Sequence, residues 1–246
     1  MRIFFINLDR RPERRAFMER QLNALGVKCE RVTGIDGREL SKADRRRHLR
    51  AFRWWCANGY RARNGEIGCA LSHQTIYDCM ISREIDCACI LEDDIRLTGQ
   101  FAEMLVASER LLSSSTPANV IILSPYKGKR KPESAMPSLL PVKWAVSAGG
   151  YVLDKEAARR LLAVNVPLHT TIDNWGRLAR LAKIKLFAAN PTVCLQDDYA
   201  WKPDDPAFAT DTIDIGTVFV DRMPWHRRIA HKAMRVVGRT IDALIR

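Results

Sequence analysis

Three consecutive carboxylates, Glu92, Asp93 and Asp94, close the apolar run Ala88-Cys89-Ile90-Leu91 and are followed by Ile95. Carboxylates this close repel one another, and such a cluster is usually tolerated only where a metal ion or basic side chains lie nearby. An extended strand alternates its side chains between faces, so the pattern predicts Glu92 and Asp94 on one side and Asp93 on the other. Two carboxylates on one side of a strand's C-terminal end can hold a hard divalent cation whose remaining positions go to water and phosphate oxygens. That chemistry suits a site handling a nucleotide diphosphate. The competing interpretation is a solvated acidic turn after an edge strand.

The elements that would position these carboxylates read as alternating strands and helices. Residues 2–8 predict a first strand, 11–25 a helix with Phe17, Met18, Leu22 and Leu25 at helical spacing, and Gly26 its end. Residues 27–33 predict a second strand and 34–37 the loop after it, an opening common to parallel α/β sheets. The basic, aromatic stretch 38–63, with Trp54, Trp55 and Tyr60, suits a helix and a mobile loop. Further helices are expected at 66–82, 99–112, 154–164 and 174–183. Further strands are expected at 87–92, 120–123, 146–153 and 184–196. Residues 124–141, with four prolines and a basic run, read as an exposed loop, and 166–173 as another.

Composition narrows the class. With 246 residues, 47% hydrophobic and 28% charged, the chain can bury an ample core, which excludes a disordered or collagen-like protein. No stretch approaches the ~20 apolar residues of a membrane span. The opening Met1–Ile6 is too short for the apolar core of a signal peptide, so a cytoplasmic location is expected. The seven cysteines lack CxxC spacing and read as free thiols. A net charge of +12, clumped at 10–20, 45–53, 127–131 and the C-terminal tail, favours anionic partners. In that tail Ile229, Ala233, Val236, Val237, Ile241 and Leu244 mark one helical face, with basic residues largely off it. Residues 223–246 are therefore expected to form a basic amphipathic helix that lies on an anionic membrane surface or packs on the domain 1–222.

Four segments together resemble one family. They are Ile6-Asn7-Leu8-Asp9-Arg10-Arg11 with Arg14-Arg15; Gly65-Glu66-Ile67-Gly68-Cys69-Ala70-Leu71-Ser72-His73; Ile90 to Asp94; and Ala148-Gly149-Gly150-Tyr151-Val152-Leu153 with the helix after it. In this order, over residues 2 to 175, they resemble glycosyltransferase family 25, which contains bacterial lipooligosaccharide galactosyltransferases and collagen galactosyltransferase domains. The resemblance implies a single α/β domain of GT-A-like fold, a Rossmann-like mixed sheet flanked by helices. It also implies a nucleotide sugar, commonly UDP-galactose, a divalent metal such as Mn2+ or Mg2+, and an inverting displacement. The acceptor it points to is a lipopolysaccharide or related glycan or glycolipid at the cytoplasmic face of the inner membrane.

The same resemblance distributes roles over this sequence. Asp94 is the expected metal ligand with Glu92 in support, and Asp93 is expected to contact the donor's ribose or sugar. Asn7, Asp9 and Arg10 follow the first strand, where a GT-A domain holds its nucleotide. Asp36 follows the second, and Arg14 is either a donor contact or a surface helix charge. His73 is expected to bind donor or acceptor, or to satisfy buried polar groups. Glu66 is a site residue or a helix-terminal charge. Thr171-Ile172-Asp173 resembles the family's Pro-x-Asp segment, with Thr171 in place of proline, and makes Asp173 the expected catalytic base; the alternative is a helix N-cap. Asp197 and Asp198 are weaker candidates for the metal or diphosphate. Trp54, Trp55 and Trp201 are sugar-stacking or core residues.

Two other functions fit part of the pattern. A metal-dependent nucleotidyltransferase would share the strand-end carboxylates, but no glycine-rich phosphate loop with a lysine is present. A basic nucleic-acid-binding protein would suit the charge, but no recognition motif supports it and the acidic segments oppose a polyanion.

Overall fold

The computed structural model describes residues 1–125 and 136–196, and Thr240. The basic run at 127–131, Asp197, Asp198, Trp201 and, Thr240 apart, the tail helix lie outside the described residues. No described helix is long and apolar enough to cross a membrane.

The chain opens with β1 (Arg2–Asn7), α1 (Pro12–Ala24) and β2 (Glu30–Thr33), then α2 (Lys42–His48), α3 (Ala51–Asn58) and the long α4 (Asn64–Ser82). It continues with β3 (Cys87–Glu92), β4 (Ile95–Leu97), α5 (Phe101–Ser114), β5 (Asn119–Ile122) and β6 (Ser138–Val142). It ends with β7 (Gly150–Asp154), α6 (Lys155–Asn165), α7 (Trp175–Ala182), β8 (Lys185–Asn190) and β9 (Cys194–Gln196). Seven strands form a mixed sheet in the order β2-β1-β3-β7-β5-β8-β6, and β4 pairs with β9 in a small separate sheet. The pairs β2-β1, β1-β3 and β5-β8 are parallel, while β7 runs antiparallel to both neighbours and β6 antiparallel to β8.

Period-two alternation divides the core into two layers. Phe4, Ala88, Ile90, Val120, Ile122, Tyr151 and Leu153 face α4, α6, α7 and Trp54 of α3. Ile3, Phe5, Cys89, Leu91, Ile121 and Val152 face Met18 and Leu22 of α1 and Phe101 and Met104 of α5. The sheet is buried on both faces, which explains why its strands read as continuous apolar runs. Gly26 ends α1 with φ +66°, the left-handed conformation expected of a residue just past a helix end.

The structure departs from the sequence reading in several places. The stretch 38–63 forms two short helices with Trp54 fully buried, so Trp54 belongs to the core, whereas Trp55 is partly exposed. Residues 138–142, expected in a loop, form the edge strand β6; Pro141 is tolerated there because an edge leaves one side of the backbone unpaired. The segment 184–196 is two strands in different sheets. β2 is shorter than expected, beginning at Glu30. All seven cysteines are free thiols.

One packing feature carries a pH dependence. His169, between α6 and α7, is buried, and burial followed by the charges of Arg53 and Arg177 lowers its pKa from 6.5 to about 4. The imidazole is therefore neutral in the folded protein, and the unfolded chain takes up the proton first as pH falls. Stability present above pH 6.5 is expected to decline toward pH 4, by on the order of 3 kcal/mol if the whole shift is expressed. Urea titrations of the wild type and His169→Phe over that range check it. A slope unchanged by the substitution would assign the acid sensitivity elsewhere.

Candidate active site

β1 connects through α1 to β2 on one side, whereas β3 pairs on the other side of β1. The crevice between the carboxyl ends of β1 and β3 is thus a topological switch point, where open α/β sheets bind ligands. Ile6 and Glu92 are partners in the register, so Asn7 and the acidic segment leave the sheet side by side. A cavity opens there, edged by Asn7, Arg10 and Arg14, the loop 34–38, the first turns of α4 and all three carboxylates.

Two glycines bring the loop against α4. A side chain on Gly37 would begin 1.8 Å from the Asn64 carbonyl oxygen, and one on Gly68 would begin 2.3 Å from that of Ile35. Ser72 fastens the contact: its Oγ accepts from the Ile35 amide (2.8 Å) and donates to the Gly68 carbonyl (2.7 Å). Ser72 of the central motif therefore shapes the cavity wall.

The carboxylates do not alternate as the strand pattern predicts. β3 ends at Glu92, and Asp93-Asp94 turn the chain into β4, so all three reach the same cavity. Asp93 accepts from Asn7 Nδ2 (2.6 Å) and from Arg14 Nη1 (3.1 Å). Arg14 is only 3% exposed, so it is a buried partner of Asp93 and no surface helix charge. Burial raises the pKa of Asp93, against the pull of Arg14 and Asn7. Asp94 is pushed up to about 7, by burial first and then by the charge of Glu92, and its Oδ1 is buried without a hydrogen-bond partner. Burial also opposes ionisation of Glu92, but hydrogen bonds from His73 and Cys69 outweigh it and hold its pKa below the usual value.

Asp36 sits at the rim, held well below the carboxylate range by Arg38 and then Arg10, which donates from Nε at 2.8 Å. Asp9 is the exception among the candidates. Its carboxylate is 72% exposed, pairs with Arg31 and does not line the cavity. Arg31 also donates to the Asn7 side chain (3.0 Å), a bracing contact that sequence reasoning missed.

His73 is fully buried, with Nε2 3.2 Å from Glu92 Oε1 and Nδ1 2.7 Å from the Tyr151 hydroxyl. Both ring nitrogens thus satisfy buried polar groups. Cys69, one turn earlier, donates to the same Glu92 oxygen at 3.3 Å.

A second cavity adjoins the first, and Cys69 and Glu92 belong to both walls. Asp173 lies in this second cavity with Thr171, Tyr60 and Glu66. Burial raises the pKa of Asp173, with Glu92 adding to the shift against a hydrogen bond from Thr171. It is not the helix cap: Asn174 caps α7, its side chain accepting from the Arg177 amide. Glu66 is both a helix-terminal charge and a cavity residue, accepting from the Arg63 amide (2.9 Å) and the Tyr60 hydroxyl (2.5 Å). Tyr60 and Ser147 carried no site role in the sequence reading. Only proximity in the fold gives them to the site.

The profile of Glycosyltransferase family 25 (LPS biosynthesis protein) matches residues 1–175, and the chain belongs to this family. A Drosophila melanogaster "Glycosyltransferase 25 family member" is 36% identical over 171 residues, covering 66% of this chain and 28% of that protein. Human "Procollagen galactosyltransferase 2" is 31% identical over 178 residues, 66% of this chain and 27% of that protein. A mouse relative at 29% identity over 177 residues, 68% of this chain and 29% of that protein, is named "Inactive glycosyltransferase 25 family member 3". The chain spans less than a third of the length of these relatives.

Proposed function

We infer that the chain is a hexosyltransferase that moves galactose from UDP-galactose to a glycan hydroxyl, with residues 1–222 as a GT-A-type domain. The observation that carries this reading is the pair of adjoining cavities. One is edged by strand ends and three carboxylates, the other holds Asp173, and Glu92 stands between them. A donor in the first and an acceptor in the second would meet at their common wall.

The residues fit a hard divalent cation, Mn2+ or Mg2+. Asp94 offers a buried oxygen with no partner and a raised pKa that a cation would offset, and Glu92 lies close enough to contribute to that shift. When bound, such a cation offsets the charge developing on the leaving diphosphate. Asn7 and Arg14 fix Asp93 at the donor cavity, and Arg10 and Asp36 flank its rim, where the nucleoside would lie. Asp173 takes the proton of the acceptor hydroxyl. Burial raises its pKa, which makes the ionised form a stronger base than an ordinary carboxylate. The acceptor oxygen bonds to the anomeric carbon from the face opposite the diphosphate, whose bond to that carbon breaks, inverting the centre.

The acceptor proposed is a lipopolysaccharide or lipooligosaccharide core glycan. The family's description names LPS biosynthesis, and the charge of +12 favours an acceptor bearing phosphates. The segment 223–246 would hold the enzyme at the anionic cytoplasmic face of the membrane.

Calorimetric titration with UDP-galactose tests the reading, with UDP-glucose and GDP-mannose as controls, in Mn2+ and in EDTA. Saturable Mn2+-dependent binding, lost in a folded Asp94→Ala variant, is the expected result. Failure of every nucleotide sugar to bind the folded protein would overturn it. Binding of nucleoside triphosphates in their place would favour a nucleotidyltransferase.

A further inference from the structure

Cys69 and His73 lie four residues apart on α4, so their side chains project from one face of the helix. Glu92, at the end of β3, meets them there. Among the described residues these three form the group whose potential ligand atoms converge: Cys69 Sγ, an imidazole nitrogen of His73 and a Glu92 oxygen all lie within 4.8 Å of one another. Glu92 Oε1 is 3.3 Å from Cys69 Sγ and 3.2 Å from His73 Nε2, so small side-chain shifts that draw sulfur and nitrogen together would let all three reach a cation at the roughly 2.0–2.3 Å distances of zinc ligands.

The surroundings are those of an oriented metal ligand. His73 Nδ1 is 2.7 Å from Tyr151 Oη, which is 2.6 Å from Tyr77 Oη, and the His73 and Tyr151 rings stack 5.6 Å apart. Histidine ligands commonly use the second ring nitrogen in this way, to fix tautomer and ring orientation. Cys69 and Glu92 border both cavities, so a cation held by three side chains would retain a fourth position facing open space. The donor set also differs in kind from the oxygen ligands at Asp94. Thiolate and imidazole suit zinc-class ions, whereas magnesium and manganese favour carboxylate and water.

We propose that Cys69, His73 and Glu92 form a site for a thiophilic divalent cation of the zinc class, which adjoins the oxygen site at Asp94 and shares Glu92 with it. On binding, the Cys69 thiol gives its proton to solvent and His73 ligates through Nε2. Nδ1 then carries the ring proton and donates to Tyr151 Oη, whose own proton turns toward Tyr77. Without the cation, Cys69 and His73 both donate to Glu92 Oε1, so the pocket is satisfied in either state. Occupancy neutralises the cluster on the wall between the two cavities, because the dication is matched by the Cys69 thiolate and the Glu92 carboxylate, and it engages one oxygen of Glu92.

Cobalt(II) is the probe, titrated into the reduced full-length chain. One equivalent is expected to give intense tetrahedral d–d bands and a thiolate-to-cobalt charge-transfer absorption, both displaced by Zn2+ and not by Mg2+. Cys69→Ala should abolish the charge-transfer band. Tyr151→Phe should retain it with affinity weakened about 10–100-fold. Asp94→Ala should retain it fully, which separates this site from the one proposed for the donor. Absence of the charge-transfer band in folded wild-type protein overturns the proposal. So does a band that persists in Cys69→Ala, which would assign it to another of the seven thiols. Failure of UDP-galactose binding would leave this result untouched.

Discussion

Asp173→Asn is expected to lower the turnover of sugar transfer about 10²–10⁴-fold, the usual contribution of a positioned general base, and to leave nucleotide-sugar affinity within a few-fold of wild type. The asymmetry follows from placement. Asp173 lies in the cavity with Tyr60 and Glu66, whereas the residues proposed to hold the donor line the cavity beside it. Asparagine keeps the size of the side chain and can still pair with Thr171, but it cannot accept a proton. The pH profile supplies an independent readout. The base must be ionised, and burial raises its pKa, so activity should rise with pH through a value above the ordinary carboxylate range. That acid limb should disappear in the variant. Unchanged turnover, or a loss confined to donor affinity, would remove Asp173 from the base role.

Arg14→Met should cost about 3–5 kcal/mol of folding stability near neutral pH, the penalty for removing one partner of a buried ion pair. Arg14 and Asp93 are both largely buried, 3.1 Å apart, and the charge of Arg14 also lowers the pKa values of Glu92 and Asp94. It is the basic partner that makes three adjacent carboxylates tolerable in this fold. Without it, the folded-state pKa of Asp93 rises further above its unfolded value. Its contribution is then favourable at low pH and is lost as pH rises through the folded pKa, so the deficit should shrink in acid. Combining Arg14→Met with Asp93→Asn should recover much of the loss, because the uncompensated charge goes with it. Denaturant midpoints of the single and double variants at two pH values check this. A deficit independent of both pH and Asp93 would point to lost packing alone.

Much of the site was legible because its residues lie in short local motifs. The carboxylates at the end of β3, Asn7 and Arg10 at or just past the end of β1 and Asp36 after β2 sit where a strand ends, and the motif from Gly65 to His73 fills the first half of α4, so local pattern places them. The opening β-α-β unit was readable for the same reason. Short apolar runs and the glycine after α1 are properties of a few adjacent residues.

What the tertiary structure alone decided are contacts between segments distant in sequence. Strand periodicity placed Asp93 opposite Glu92 and Asp94, but β3 stops at Glu92 and a turn brings all three into one cavity. Local sequence left Arg14 as either a donor contact or a surface helix charge, and only the pairing of β1 with β3 lays Asp93 beside it, 79 residues further along the chain. Tyr151 reads as a core strand residue, yet its hydroxyl meets His73 because β7 pairs antiparallel with β3. β6 escaped notice because an edge strand carries proline and lacks the apolar run of a strand buried on both faces. Local sequence determined which residues end each element and so which chemical groups were on offer. Strand order and helix packing decided which of those groups share a cavity, because that depends on free energy summed over contacts that no short window of sequence contains.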